Sequence, residues 1–168
     1  MEVVLPDPCL VILCGPAGCG KSTFARAHFV ETAVVSSDRC RALIADDERE
    51  MRVSGAAFAL FHQIIDGRLR FRRLTVADST ALQPDARREL RRIARRWKTP
   101  TALLVFDIPE ETCVQWNARR GRQVARAVIH RQWQEQQNAL RRVPQEGYER
   151  VVVLGPADVA HASVQIER

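Results

Sequence analysis

The sequence predicts an α/β fold, a central parallel sheet flanked by helices on both faces. Two observations predict it. Apolar runs of strand length alternate along the 168 residues with longer amphipathic stretches, the pattern of strands joined by crossover helices. The first run, Leu10-Val11-Ile12-Leu13, passes into Gly15-Pro16-Ala17-Gly18-Cys19-Gly20-Lys21-Ser22 and then into Thr23-Phe24-Ala25-Arg26. That succession is a strand, a glycine-rich loop and a helix.

Strands are expected near Cys9 to Cys14, Ala33 to Ser36, Leu74 to Ala77, Thr101 to Phe106 and Arg150 to Leu154. Each is short, apolar and bounded by polar or turn-forming residues. Helices are expected near Lys21 to Phe29, Arg39 to Ala45, Gly55 to Leu69, Asp85 to Trp97, Glu110 to Arg119 and Val124 to Arg142. The helix after Gly55 carries Ala57, Leu60, Phe61, Ile64 and Ile65 on one side, which marks its core face. No low-complexity linker or internal repeat divides the chain, so residues 1–168 read as one domain, large enough to bury its own core.

With 46% hydrophobic residues the chain is not a disordered type. No apolar stretch is long enough to span a bilayer, and Met1-Glu2-Val3-Val4 lacks the basic start of a signal peptide. A cytoplasmic protein with no membrane partner is therefore expected. Five cysteines without metal-type pairing are read as reduced thiols. The four histidines show no ligand spacing and are assigned no role.

The net charge of +6 suits a polyanionic partner. Its densest part, Arg87-Arg88, Arg91-Arg92 and Arg95-Arg96, lies on a helix whose apolar stripe is Ala86, Leu90, Ile93 and Trp97. These arginines are read as a solvated face projecting away from the core. Of the 26 basic residues only Lys21 and Lys98 are lysines. A chain that otherwise uses arginine has placed a compact ammonium where a phosphate cradle needs one.

In the loop from Gly15 to Ser22, glycines let successive N–H groups turn toward one anion, and the helix that follows adds its partial positive charge. Lys21 is placed to reach the β- and γ-phosphates of a nucleoside triphosphate, and the Ser22 hydroxyl to hold Mg2+. In an open parallel sheet, ligands lie beyond the carboxyl ends of the strands. There the sequence puts Ser36-Ser37-Asp38, Asp78-Ser79-Thr80 and Asp107. Asp38 fits two roles equally, a base near an acceptor hydroxyl or the cap of a helix starting at Arg39. Arg41, one turn on, is placed to grip an acceptor phosphate. Asp78 and Asp107 each end a strand, as a metal-orienting carboxylate or a turn former would. Arg119, Arg120 and Arg122 fall around Gly121 between two helices, a pattern read as a lid that brings arginines onto phosphates.

Beyond these motifs the chain resembles the polynucleotide 5′-hydroxyl kinase domain of bacterial polynucleotide kinase-phosphatase, an RNA repair enzyme. The resemblance rests on Gly20 to Ala25, Val-Ser-Ser-Asp at Val35 to Asp38 with Cys40-Arg41, Asp46-Asp47-Glu48, Gly55 to Phe58, and Leu74 to Val76 running into Asp78. It continues through Asn117, Arg120 and Arg122-Gln123-Val124, in the same order over essentially the whole chain.

It implies an adenylate-kinase-like P-loop kinase fold with a C-terminal helical lid. ATP or another NTP would lie on Gly15, Pro16, Ala17, Gly18, Cys19, Gly20, Lys21, Ser22 and Thr23. Apart from the resemblance, Trp116 is read as either a stacking surface for the adenine or a core residue. Mg2+ would lie at Ser22, and Lys21, Asp38, Arg120 and Arg122 would serve transfer. A 5′-OH RNA or DNA end would meet Ser37, Asp38, Arg41 and Val53. Two positions depart from the family pattern. Trp116 stands where an arginine is expected, and Ala81 follows Asp78-Ser79-Thr80 where an asparagine is expected. Phosphatase and ligase modules usually follow in this family, so the chain is either free-standing or excised.

Two rival readings are a P-loop kinase of a small molecule (a sugar acid, nucleoside or peptidoglycan precursor) and a nucleotide-controlled binding module. A GTPase switch would need a guanine-selecting Asn-Lys-x-Asp, and no such run occurs. If Lys21 serves the triphosphate, Lys21→Met cuts phosphoryl transfer by about 10² or more while the melting temperature stays near the parent's. A radiolabel transfer assay beside a thermal melt checks this.

Overall fold

The computed structural model describes residues 1–121 and 123–167. Its centre is β2 (Leu10–Cys14), every residue of which is buried. On one side β2 pairs with β4 (Thr75–Asp78), which pairs with β3 (Val34–Ser36). On the other it pairs with β5 (Thr101–Phe106), which pairs with β6 (Arg150–Leu154). All pairings are parallel, in the order β3-β4-β2-β5-β6. These are the five strands expected from sequence, shifted by a residue or two at their ends.

Because side chains alternate across a strand, β2 feeds two cores. Val11 and Leu13 join Phe24, Phe106, Cys113 and Ile129, under α1 (Lys21–His28), α5 (Glu110–Ala118) and the start of α6 (Arg126–Arg142). Leu10 and Ile12 join Ala57, Phe61, Ile65 and Leu90, under α2 (Ser37–Ala45), α3 (Ser54–Arg70) and α4 (Pro84–Arg96). The helices therefore cover both faces, as the alternation of elements requires.

Three elements fall outside the sequence reading. β1 (Glu2–Pro6) and β7 (Ser163–Glu167) pair in parallel as a separate two-stranded sheet, and α7 (Pro156–His161) lies between β6 and β7. The register is Val3↔Val164 and Leu5↔Ile166. β7 is short and mostly exposed, so its sequence has no core face to reveal it.

The arginine run on α4 is not the uniformly solvated face that the stripe predicts. Arg88, Arg92 and Arg96 do lie outward, paired with Asp85, Glu89 and Asp66. Arg87, however, is fully buried. Its Nη1 donates to the carbonyls of Ala81 and Leu82 at 2.9 and 2.7 Å, and its Nε and Nη2 donate to both oxygens of Glu146 at 2.9 and 2.5 Å. Arg91 packs over the Tyr148 ring at 5.2 Å. Ala86 was counted in the apolar stripe, yet the buried positions of this helix are Arg87, Leu90, Ile93 and Ala94. The bidentate carboxylate satisfies the guanidinium, and that is what lets an arginine sit in the core. Ala81 is held at φ 47°, with its own carbonyl and that of Leu82 turned onto Arg87.

The five cysteines are free and buried. Burial pushes the Cys14 thiol up to about 11 and those of Cys9 and Cys113 up to about 12, so they pack as small apolar groups. His130, assigned no partner from sequence, lies 3.0 Å from Glu110 across α5 and α6.

Burial works against the Glu146 carboxylate, but the Arg87 fork outweighs it and holds this group below the usual carboxylate range. A depressed folded pKa gives stability that is full above about pH 4.3 and lost as pH falls through the folded value. Glu146→Gln, which leaves a buried guanidinium half-paired, lowers unfolding free energy by about 3 kcal/mol at neutral pH. Urea denaturation at several pH values also shows a flatter acid limb for the variant than for the parent.

Candidate functional site

Residues 15–20 form the turn from β2 into α1, beyond the carboxyl edge of the sheet. Gly18 and Gly20 adopt φ +80° and +92°, the left-handed region that other residues enter at a cost. Space enforces the same choice. A Cβ on Gly18 would lie 2.6 Å from the Cys113 carbonyl oxygen, and one on Gly20 would lie 2.8 Å from Val159 Cγ1.

The amides of this loop divide into two sets. Gly15 N donates to Thr80 O at 3.0 Å, Cys19 N to Pro16 O at 3.4 Å, and Ala17 N to Gln132 Oε1 at 2.8 Å. The Lys21 amide is turned onto the Cys19 thiol, while those of Gly18, Gly20, Ser22 and Thr23 have no acceptor among the described residues. Four such N–H groups, at the start of a helix with no acidic residue in its first turn, fit an anion. Lys21 is buried against the same loop, its Nζ donating to Gly15 O and Pro16 O at 2.7 Å each.

Ser22 and Asp78 meet. The Ser22 hydroxyl donates to Asp78 Oδ2 at 2.8 Å, and Ser22 itself carries one of the four amides without acceptors. Asp107 is exposed at the end of β5. Of the two strand-ending aspartates, Asp78 is the one the fold brings to the loop, because β4 is the neighbour of β2 on the side toward β3. Burial pushes its carboxyl up, against the pull of Lys21 and of the Ser22 hydrogen bond.

Asp38 is not the cap of its helix. α2 begins at Ser37, and Ser36 is the N-cap, its Oγ accepting from Arg39 N at 3.2 Å. The Asp38 carboxylate is left half-exposed and ion-paired to Arg41 Nη1 at 2.6 Å. Arg41 is buried, with Nε donating to Ser54 Oγ at 3.3 Å and its guanidinium over the Phe58 ring at 5.8 Å. Ser36 lies opposite Asp78 in the β3–β4 register, and the charge on Asp38 is close enough to act on Asp78. Ser37 is buried in the first turn of α2, and Val53 precedes Ser54 in a short 3-10 turn.

The remaining expected residues are less gathered. Trp116 packs on the core and lies beside Gly20, 3.4 Å from where its Cβ would be. Thr23 is exposed at the start of α1, and Arg119 and Arg120 are exposed past the end of α5. Arg122 lies outside the described residues. Sequence reasoning missed Gln132, Ser54 and Val159 as neighbours of the site. Gln132 and Gln136 stand one turn apart on a helix with a core face, a spacing that marks a pair but not what it touches.

A glycine loop between the central strand and a helix, with a lysine folded onto it and a serine–aspartate pair beside it, defines a P-loop domain. The central parallel sheet flanked by helices matches the fold of P-loop kinases. The chain belongs to the AAA domain family AAA_33, matched over residues 10–143. No curated protein sequence gives a significant match. Among solved structures, a chain of the Pnkp1/Rnl/Hen1 RNA repair complex aligns at TM-score 0.66 and 23% identity, over 81% of this chain and 46% of that one. A gluconokinase from Sinorhizobium meliloti 1021 aligns at TM-score 0.57 and 19% identity, covering 92% and 87% of the two chains. Mycobacterium tuberculosis APS kinase CysC, solved with AMPPNP and APS, aligns at TM-score 0.52 and 15% identity, covering 90% of each. The chain thus spans less than half of the repair-complex chain and nearly all of the two kinases.

An acid whose folded pKa is raised contributes stability below its unfolded pKa and loses it as pH rises through the folded value. Asp78→Asn keeps an acceptor for the Ser22 hydroxyl but carries no buried charge. The variant therefore unfolds at the same or higher urea concentration than the parent at pH 7, and the parent's relative loss begins above about pH 4.

Proposed function

We propose that this domain is an ATP-dependent 5′-hydroxyl kinase acting on RNA or DNA ends in nucleic-acid end repair. The observation that carries the reading is the 2.6 Å pair of Asp38 and Arg41 at the same sheet edge as Lys21, Ser22 and Asp78. A carboxylate and a guanidinium held side by side suit an acceptor that presents a hydroxyl and a phosphate together. The terminal nucleotide of a 5′-OH strand does so. Free nucleosides offer the hydroxyl alone, and gluconate offers a single carboxylate in place of the phosphate, so the polyanionic strand is the acceptor that also fits the net charge. The net charge of +6 supports a polyanionic acceptor as well.

In this reading the amides of Gly18, Gly20, Ser22 and Thr23 hold the phosphates of ATP, and the Lys21 ammonium leaves the Gly15 and Pro16 carbonyls to meet them. Ser22 and Asp78 would hold Mg2+. Two protein oxygens suit an ion that keeps most of its shell from water and phosphate. When bound, the ion supplies charge neutralisation at the transferred group. Arg41 grips the phosphate beyond the terminal nucleoside, Val53 touches its base without reading it, and Ser37 shapes the acceptor pocket. Asp38 accepts the proton of the 5′-OH as the hydroxyl attacks. Trp116 lies against the adenine beside Gly20, and Arg120 and Arg122 reach the developing charge from the segment after α5. The chain acts alone or with phosphatase and ligase modules of the same polypeptide.

The test offers γ-labelled ATP with a 5′-OH oligonucleotide, a nucleoside 3′-phosphate, gluconate and nucleosides. Label is expected on the first two, and label on gluconate alone establishes a sugar-acid kinase instead. Asp38→Asn lowers transfer by about 10² or more with ATP affinity unchanged. Arg41→Ala raises KM for the oligonucleotide and the 3′-phosphate about tenfold or more, while KM for ATP stays put. Steady-state kinetics on the two variants checks both.

A further inference from the structure

The helices flanking residues 119–125 grip the phosphate loop at adjacent positions. Asn117, buried at the end of α5, accepts from Val124 N at 3.0 Å and donates to Val124 O at 2.8 Å, so one side chain ties the two ends of that segment together. The same residue backs Gly18, whose Cβ would lie 3.0 Å from Asn117 Cβ. From the other side, Gln132 of α6 accepts from Ala17 N at 2.8 Å. This amide is held from outside the loop by a side chain of another helix. One turn further, Gln136 is fully buried and donates from Nε2 to Phe106 O at 2.7 Å. Its Oε1 has no donor and lies 3.4 Å from the Cβ position of Gly15.

Burying the Gln136 amide is costly where an apolar side chain of the same length would pack, and the hydrogen bonds made by Gln136 and the half-buried Gln132 go to the strand end and to the loop beside it. We propose that Gln132 is a positioning residue for the nucleotide phosphates, and that Gln132 and Asn117 together tie the loop to α6 and to the end of α5. Fixing the Ala17 peptide sets the direction of the peptide planes that follow, among them those of Gly18 and Gly20, whose amides have no acceptor among the described residues. A loop held in its anion-receiving shape spends less of the ligand's binding free energy on ordering. Linkage is reciprocal, so a nucleotide that prefers this loop shape also seats α6 against the loop. The inference rests on the reading that the loop binds a nucleotide, but not on the identity of the acceptor.

Gln132→Met keeps the length of the side chain and its helix propensity while removing the strong acceptor. Calorimetric titration with ATP and Mg2+ is expected to show affinity weakened about tenfold. Trypsin cleavage after Arg119 and Arg120, slowed by ATP in the parent, is slowed less in the variant at the same ATP concentration. Gln132→Glu keeps an acceptor for the Ala17 amide and retains the protection at saturating ATP. Unchanged affinity and unchanged protection in Gln132→Met overturn the proposal, as does a lowered melting temperature with unchanged affinity, which marks a purely structural contact. If the parent itself binds no ATP, the nucleotide-binding reading falls first and this inference with it.

Discussion

Everything near the site depends on a backbone that leaves four N–H groups without acceptors among the described residues, at the start of a helix that buries only Lys21, Phe24 and Ala25. Such groups are costly away from water, so the loop from Gly15 to Ser22 keeps this shape only because its surroundings impose it. Thr80 fixes its first residue, Gln132 its third, and Lys21 gathers the carbonyls of Gly15 and Pro16 on the inside. Cys113, Asn117, Val159 and Trp116 crowd the glycines closely enough that no side chain fits. The constraint runs outward from there. α5, α6 and α7 each place a residue against the loop, which ties the late part of the chain to the first strand of the main sheet.

Charge is handled by a different rule at each depth. Arg87 is admitted to the core because Glu146 and two carbonyls satisfy its donors, and the pair fixes the start of α4 to the turn after α6. Arg41, nearly as buried, has a single carboxylate, one hydroxyl and an aromatic face. The first is a closed arrangement with every strong donor used. The second points its carboxylate partner to the surface, where the Asp38–Arg41 pair is open to exchange. Arginines farther along α4 meet partners on the surface, where such pairs contribute little.

Five strands and six helices were legible because each has a buried face that writes its period into the residues, as Phe61 and Ile65 do on α3 and Leu10 to Leu13 do on β2. β1, β7 and α7 were not. They are short, and although Val3 and Leu5 of β1 join the core beneath α1, β7 is mostly exposed and α7 has no buried residue. The misreading of α4 has a related cause. A stripe analysis counts Ala86 and Trp97 as inward and every arginine as outward, and nothing local to α4 reveals that Glu146 waits 59 residues away for Arg87.

Residue order alone determined the phosphate loop, because its glycines, lysine and serine must be contiguous to turn their groups toward one point, and contiguity is what a sequence displays. It likewise placed Asp38 and Arg41 one helical turn apart, where they pair. Only the tertiary structure decided between Asp78 and Asp107, since both end apolar strands and the choice depends on which strand lies between β3 and β2. It also decided that Ser36 and not Asp38 caps α2, a competition settled by where the backbone leaves β3. The grip of Gln132 on Ala17 joins residues 115 positions apart, and contacts of that range are fixed by how helices pack on a sheet and carry no local signature.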